Sequence, residues 1–169
     1  MSRLARHPRS TTGFTLLELV IVLALVALAT SLVLPAVHRG LEYWRLQGAT
    51  RDVATLFKFT RNRSVAGKEP LQVILDRSRS IYWLDNADAS VLDDPPERGA
   101  RGIRLYGLPK GIRFGEVIGA GANPDGTRVG VQFFPRGSST GGQVQVLDER
   151  GRGYRITIDP VTGRTSIGG

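Results

Sequence analysis

The chain has 169 residues, 41% of them hydrophobic and 22% charged. That excludes the disordered and low-complexity classes and suits one domain with a core. With no cysteine and only two histidines, His7 and His38, it has no disulfide framework, thiolate zinc site, iron–sulfur cluster or thiol chemistry. Lys and Arg number 23 against 15 Asp and Glu, a net charge of +8 that leaves polyanions and anionic lipid head groups open as partners.

The first element in chain order is an apolar run, Phe14 to Val37, 24 positions in which Glu18 is the only charge. At about 1.5 Å per helical residue, roughly 20 apolar residues cover the hydrocarbon core of a bilayer, so the run is predicted to span a membrane. Residues 1–13 carry Arg3, Arg6 and Arg9 and no acid, which keeps the short N-terminal end in the cytoplasm and sends everything after Val37 outward. A cleaved secretory signal peptide has the same plan, and Ala27-Leu28-Ala29 offers it a small-residue cleavage site. Against that reading, the apolar run continues past the site, and a carboxylate lies five residues into it. An acid at membrane depth costs about 2.5 to 3.5 kcal/mol, so it calls for a partner or a purpose.

Gly13-Phe14-Thr15-Leu16-Leu17-Glu18, followed by an apolar helix, resembles the class III signal of type IV pilins and type II secretion pseudopilins. The resemblance implies that prepilin peptidase cuts between Gly13 and Phe14, that Phe14 is N-methylated and that the apolar segment stays on the mature protein. It also assigns assembly roles to Glu18, at the fifth mature position, and to the helix-bending Pro35, at the twenty-second. The physics agrees, because Glu18 beside the N-terminal amine of a neighbouring subunit neutralises two charges in a low dielectric and fixes their register. The bland alternative is that Glu18 merely sits near the cytoplasmic head groups.

After Pro35 the apolar residues thin to Leu46, Ala49, Val53, Leu56, Phe57 and Thr60, a three-or-four spacing that predicts one buried helical face. Arg39, Arg45, Arg51, Arg61 and Arg63 are assigned to the opposite, solvated or subunit-facing side. The helix is predicted to end near Ala66-Gly67, with the glycine as a left-handed cap. Short β-type runs follow: Leu71–Asp76, Ser80–Leu84, Ile103–Tyr106, Ile112–Val117, Val129–Phe134, Gln143–Leu147, Tyr154–Ile158 and Thr165–Ile167. Asn86–Gly102 and Gly119–Arg128 read as loops. The expected fold class is α+β: a leader over 1–13, a transmembrane and assembly helix over 14–37, and a periplasmic domain over 38–169. In that domain an amphipathic helix to about 67 packs on an antiparallel β-domain.

This plan looks like the pilin superfamily, and its C-terminal part narrows the resemblance. Phe133-Phe134-Pro135-Arg136-Gly137-Ser138-Ser139, then Gly141-Gly142, two strands and Thr162-Gly163-Arg164, is similar to the H-type minor pseudopilins of type II secretion and the related FimT-like minor pilins. Major pseudopilins typically end in a calcium-binding loop, and no matching acidic cluster is evident, which favours a minor subunit.

Three motifs suggest chemistry and lack its context. Gly137-Ser138-Ser139-Thr140-Gly141 fits the G-x-S-x-G elbow, but a strand follows where a helix is needed, and no histidine is available as base for Ser139. Gly119-Ala120-Gly121-Ala122 lacks the spacing and βαβ setting of a dinucleotide fingerprint. Asp93, Asp94 and Glu97, flanked by Arg98 and Arg101, read as a solvated loop, and Asn123-Pro124-Asp125-Gly126 as turn chemistry.

Neither a cofactor nor a metal is expected, nor an enzyme. The preferred expectation is a structural minor pseudopilin in the inner membrane. Its partners are then the major pseudopilin, other minor pseudopilins, prepilin peptidase and the inner-membrane assembly platform. The alternative is a FimT-like minor pilin whose Arg150, Arg152, Arg155 and Arg164 hold DNA phosphates during uptake. Little aromatic interleaving beyond Tyr154 supports that alternative, so nucleic acid is the less favoured partner.

Overall fold

The computed structural model describes residues 15–88, 103–119, 121–123 and 125–169, side chains excepted at 32–41. Helix α1 runs Leu16–Gly67. Among the described residues nine strands follow: β1 Leu71–Asp76, β2 Ile81–Asn86, β3 Leu105–Gly107, β4 Ile112–Gly119, β5 Gly121–Ala122, β6 Arg128–Phe133, β7 Gly142–Asp148, β8 Gly153–Ile158 and β9 Thr165–Gly168. The chain divides into two compact units, Met1–Gly40 and Leu41–Gly169.

In the second unit the strands form two antiparallel sheets, ordered β3-β2-β1-β6-β5 and β4-β7-β8-β9. Leu46, Ala49, Val53, Leu56, Phe57 and Thr60 are all buried, as their spacing predicts. The apolar members join Val73, Leu75, Val131 and Phe133 of the first sheet and Phe114, Val144, Val146, Ile156 and Ile158 of the second in one core. Phe57 lies against Phe133, ring centroids 6.2 Å apart. Thr50 and Thr60 are tolerated in this apolar stripe because their hydroxyls donate to the carbonyls of Leu46 and Leu56, at 2.8 Å each.

The helix ends where expected, but its left-handed residue is Lys68 (φ 54°), not Gly67. The Glu69 N–H bonds the Ser64 carbonyl at 3.3 Å, the long bond of a Schellman motif whose C′ residue is Lys68. The cap therefore falls one residue beyond the glycine that the sequence offers. Eight expected strands are present with ends shifted by no more than two residues. The Gly119–Arg128 segment departs from its predicted loop: β4 extends to Gly119, and β5 pairs Gly121 with Gly130 and Ala122 with Val129. Two-residue strands have no periodicity of their own, and pairing with β6 creates this one. Most of the Asn86–Gly102 loop, with Asp93, Asp94, Glu97, Arg98 and Arg101, lies outside the described residues.

Candidate assembly surface

Helix α1 begins on a cap. The Thr15 hydroxyl accepts the Glu18 N–H at 3.1 Å, and the Thr15 carbonyl accepts the Leu19 N–H at 3.2 Å. Thr15-Leu16-Leu17-Glu18 has capping-box spacing, and an acid in the first turn favours the positive helix end, so Glu18 also serves its own helix. That signal stood in the sequence beside the assembly role assigned to Glu18. Gly13 and Phe14 lie outside the described residues, as does the side chain of Pro35.

From Leu16 to Leu28 the large apolar side chains are 46–81% exposed. They occupy successive positions at about 100° per residue, so they cover the helix all round and leave no polar face. Thr30 and Ser31 turn their hydroxyls inward to the carbonyls of Val26 and Leu28, at 2.7 Å each, and so present little polarity. A surface of this kind is stable only when covered by lipid or by other chains. Among the described residues no helix is long and apolar enough to cross a membrane. The described side chains of this stretch stop at Ser31, whereas the apolar sequence continues to Val37.

The family-like residues near the C-terminus form a clasp on the domain half of α1. The Arg61 Nε–H donates to the carbonyls of Thr162 at 2.9 Å and Gly137 at 3.2 Å. Gly163 (φ 61°) is buried so close to the Gly137 carbonyl that a Cβ there collides with it. The Asp159 carboxylate accepts the Thr162 N–H at 2.7 Å and hydroxyl at 2.8 Å. Those bonds, the Thr162 N–H first, hold the exposed Asp159 carboxyl below its ordinary range. Arg61 reads as part of the solvated or subunit-facing side; its position four residues after the buried Phe57, on the same helical face, was the available signal.

Ser139 belongs to the same clasp. Its hydroxyl donates to the Asp159 carbonyl at 2.9 Å and accepts the Gly141 N–H at 3.0 Å, so both its capacities are spent on joining two turns. Asp125 is likewise turn chemistry: it accepts the Thr127 N–H and hydroxyl, at 3.1 and 2.9 Å, which lower its pKa. Among the described residues no group of three or more His, Cys, Asp or Glu is placed to hold a metal.

The four C-terminal arginines do not form one patch. Arg152 pairs with the buried Asp148 at 2.8 Å and with Glu42 at 3.7 Å, and Arg150 meets Glu42 at 3.3 Å. Burial pushes the Asp148 carboxyl up, but hydrogen bonds from the Arg152 side chain and backbone outweigh it and the pKa is lowered. Arg164 lies at the other end of β8, where its carbonyl accepts the Asp159 N–H at 2.9 Å. Six residues of strand at about 3.3 Å each separate the two ends. Arg155 is exposed midway along β8. Glu42 carried no signal in the sequence, because its partners lie more than a hundred residues away.

Residues 49–163 match the family model for type II transport protein GspH. The chain belongs to the GspH family. A prokaryotic N-terminal methylation motif matches residues 8–34, a window that holds Gly13, Phe14 and Glu18. The chain is 28% identical over 160 residues to type II secretion system protein H of Xanthomonas campestris pv. campestris, covering 95% of this chain and 85% of that protein. Its fold is similar to the type IV minor pilin FimU of Pseudomonas aeruginosa (TM-score 0.54, 13% identity, 76% of this chain and 91% of that one). It is equally similar to the minor pseudopilin EpsH of Vibrio cholerae (TM-score 0.54, 8% identity, 73% and 95%). The fold alone is thus shared by pilins and pseudopilins, and the family model and the curated relative favour type II secretion. GspH proteins are a structural family, which supports the non-enzymatic reading of this chain.

Proposed function

We propose that this GspH-family chain is a minor pseudopilin of the type II secretion pseudopilus, held in the inner membrane by Phe14–Val37 until assembly. Its N-terminus faces the cytoplasm and its domain the periplasm. In the fibre the same helix packs against the major pseudopilin and other minor pseudopilins. The prepilin peptidase and the inner-membrane assembly platform act on it before that. The carrying observation is the helix from Leu16 to Leu28, apolar on every side and uncovered. A folded domain has no use for such a helix unless lipid and then neighbouring subunits replace water around it. Glu18 supplies the polar contact in that apolar setting, opposite the methylated amine of Phe14 in the next subunit.

Mass spectrometry of the mature protein tests the processing step. A product beginning at N-methylated Phe14 is expected, and one beginning at Thr30 overturns the reading. Glu18→Ala is expected to remain inserted and cleaved but to crosslink poorly to the major pseudopilin. Wild-type crosslinking yield shows Glu18 to be incidental to assembly.

A further inference from the structure

Tyr43 and Trp44 stand out in the second unit. Buried aromatics fill its core, yet Trp44 is 66% exposed and Tyr43 49%. The two rings meet edge to face, centroids 6.1 Å apart. The Tyr43 contact and burial raise the Tyr154 phenol pKa. Tyr43 thus borders Tyr154 of β8, while the indole is left outside. Beside it, Arg45 is exposed, and Arg150 and Arg152 reach Glu42 with side chains 54% exposed.

Sequence distance places this pair with respect to the apolar run. Trp44 follows Val37 by seven residues, which span about 10 Å if helical and at most about 25 Å if fully extended. The tether thus limits how far Trp44 can lie from the end of the membrane run. Trp and Tyr prefer that depth, where an apolar ring meets the hydrocarbon edge and an N–H or O–H meets water and head groups. The exposed Arg45, next in the chain, suits a phosphate at the same level, while Arg150 and Arg152 are engaged by Glu42.

We propose that Tyr43 and Trp44 form a lipid-contacting belt that seats the domain on the outer head-group layer of the inner membrane before assembly. This rests on the membrane-spanning reading of Phe14–Val37. Leaving the membrane for the fibre then strips lipid from the indole, so the same side chain reports the transition. The occupant is a phospholipid head-group layer, argued from the tether and from the ring and charge chemistry.

The chain has only two tryptophans, Trp44 and the buried Trp83. The difference between full-length wild type and Trp44→Phe therefore isolates the Trp44 emission without disturbing the core. Both proteins are reconstituted in phosphatidylethanolamine–phosphatidylglycerol vesicles containing lipids brominated near the head group or near the chain ends. Leu25→Trp in the Trp44→Phe background reports insertion of the apolar helix independently. The expected result is a Trp44 component shifted to shorter wavelength and quenched more by shallow bromines than by deep ones, with Leu25→Trp quenched more by deep ones. A Trp44 component that is water-like, or quenched more by deep bromines, overturns the belt even though Leu25→Trp shows insertion. If Leu25→Trp is unquenched, the membrane-spanning reading falls and the belt falls with it.

Discussion

Gly163 sits where only a glycine fits, for two independent reasons. Its φ of 61° is in the left-handed region, and a Cβ would collide with the Gly137 carbonyl and press on the Arg61 side chain. Gly163→Ala is therefore expected to destabilise the domain by about 2 kcal/mol or more, from strain and a loosened clasp. The denaturation midpoint of a fragment beginning at Arg39 measures it, and an unchanged midpoint removes the clasp from the stability account. The opposite sign is expected at Lys68, a left-handed residue with a side chain. Lys68→Gly is expected to stabilise the fragment by about 1 kcal/mol, read as a higher midpoint. The carboxylates Asp125, Asp148 and Asp159 all have lowered pKa values. The unfolded chain then takes up protons first, so this contribution is fully present above the unfolded carboxylate pKa of about 4 and lost as pH falls through the native values. Thermal midpoints are expected to be flat from about pH 5 to 7 and to fall below about pH 4. Asp148→Asn is expected to flatten that fall. At the alkaline end, burial first, then the charge of Asp52 and the neighbouring Tyr106, push the Tyr82 phenol up to about 12. Its contribution is present below the unfolded value of about 10 and lost as pH rises towards 12.

At the scale of elements, the packed half of α1 shows why some structure was legible and some was not. Its buried stripe was readable because a helix facing two sheets along one side must repeat every three or four residues, and Leu46 to Thr60 do so. Every strand but the two-residue β5 was readable for a similar reason, since each carries β-favouring residues between turn formers. What failed was non-local. Arg61 reads as one more surface cation until the turns at Gly137 and Thr162, 76 and 101 residues away, arrive to accept its Nε–H. In sequence the Gly-Ser and Thr-Gly-Arg turns read as marks of a family; the reason for them, two turns and a helix meeting at Arg61, required the fold. The stripe carries its own expectation: Phe57 is fully buried against Phe133, so Phe57→Ala in the same fragment is expected to cost about 3 to 5 kcal/mol. Chemical denaturation measures it. A loss below about 1 kcal/mol indicates that the helix is not seated on the sheets.

For the whole molecule, the question that separates the two functional classes is how charge is distributed over the domain, because a net positive charge alone does not make a nucleic-acid site. A phosphate-binding surface needs several unpaired cations converging on one track. Here Arg150 and Arg152 share Glu42, and Arg152 is further engaged by Asp148, so their charge is partly neutralised within the domain. Arg164 lies a strand length, about 20 Å, from Arg152, and Arg155 stands between them on an exposed strand face. Such an arrangement offers one or two phosphate contacts at a time. Each contact contributes nearly one log unit of affinity per log unit of salt, so the salt dependence is expected to be shallow. The fragment beginning at Arg39 is therefore expected to bind duplex DNA no tighter than about 10⁻⁴ to 10⁻⁶ M at physiological salt, the range of nonspecific contact. Fluorescence anisotropy across a salt series measures both quantities. Submicromolar binding with a steep salt slope, abolished by Arg152→Ala and Arg155→Ala together, means that the arginines leave Glu42 and Asp148 for phosphate, and DNA uptake then displaces secretion as the function.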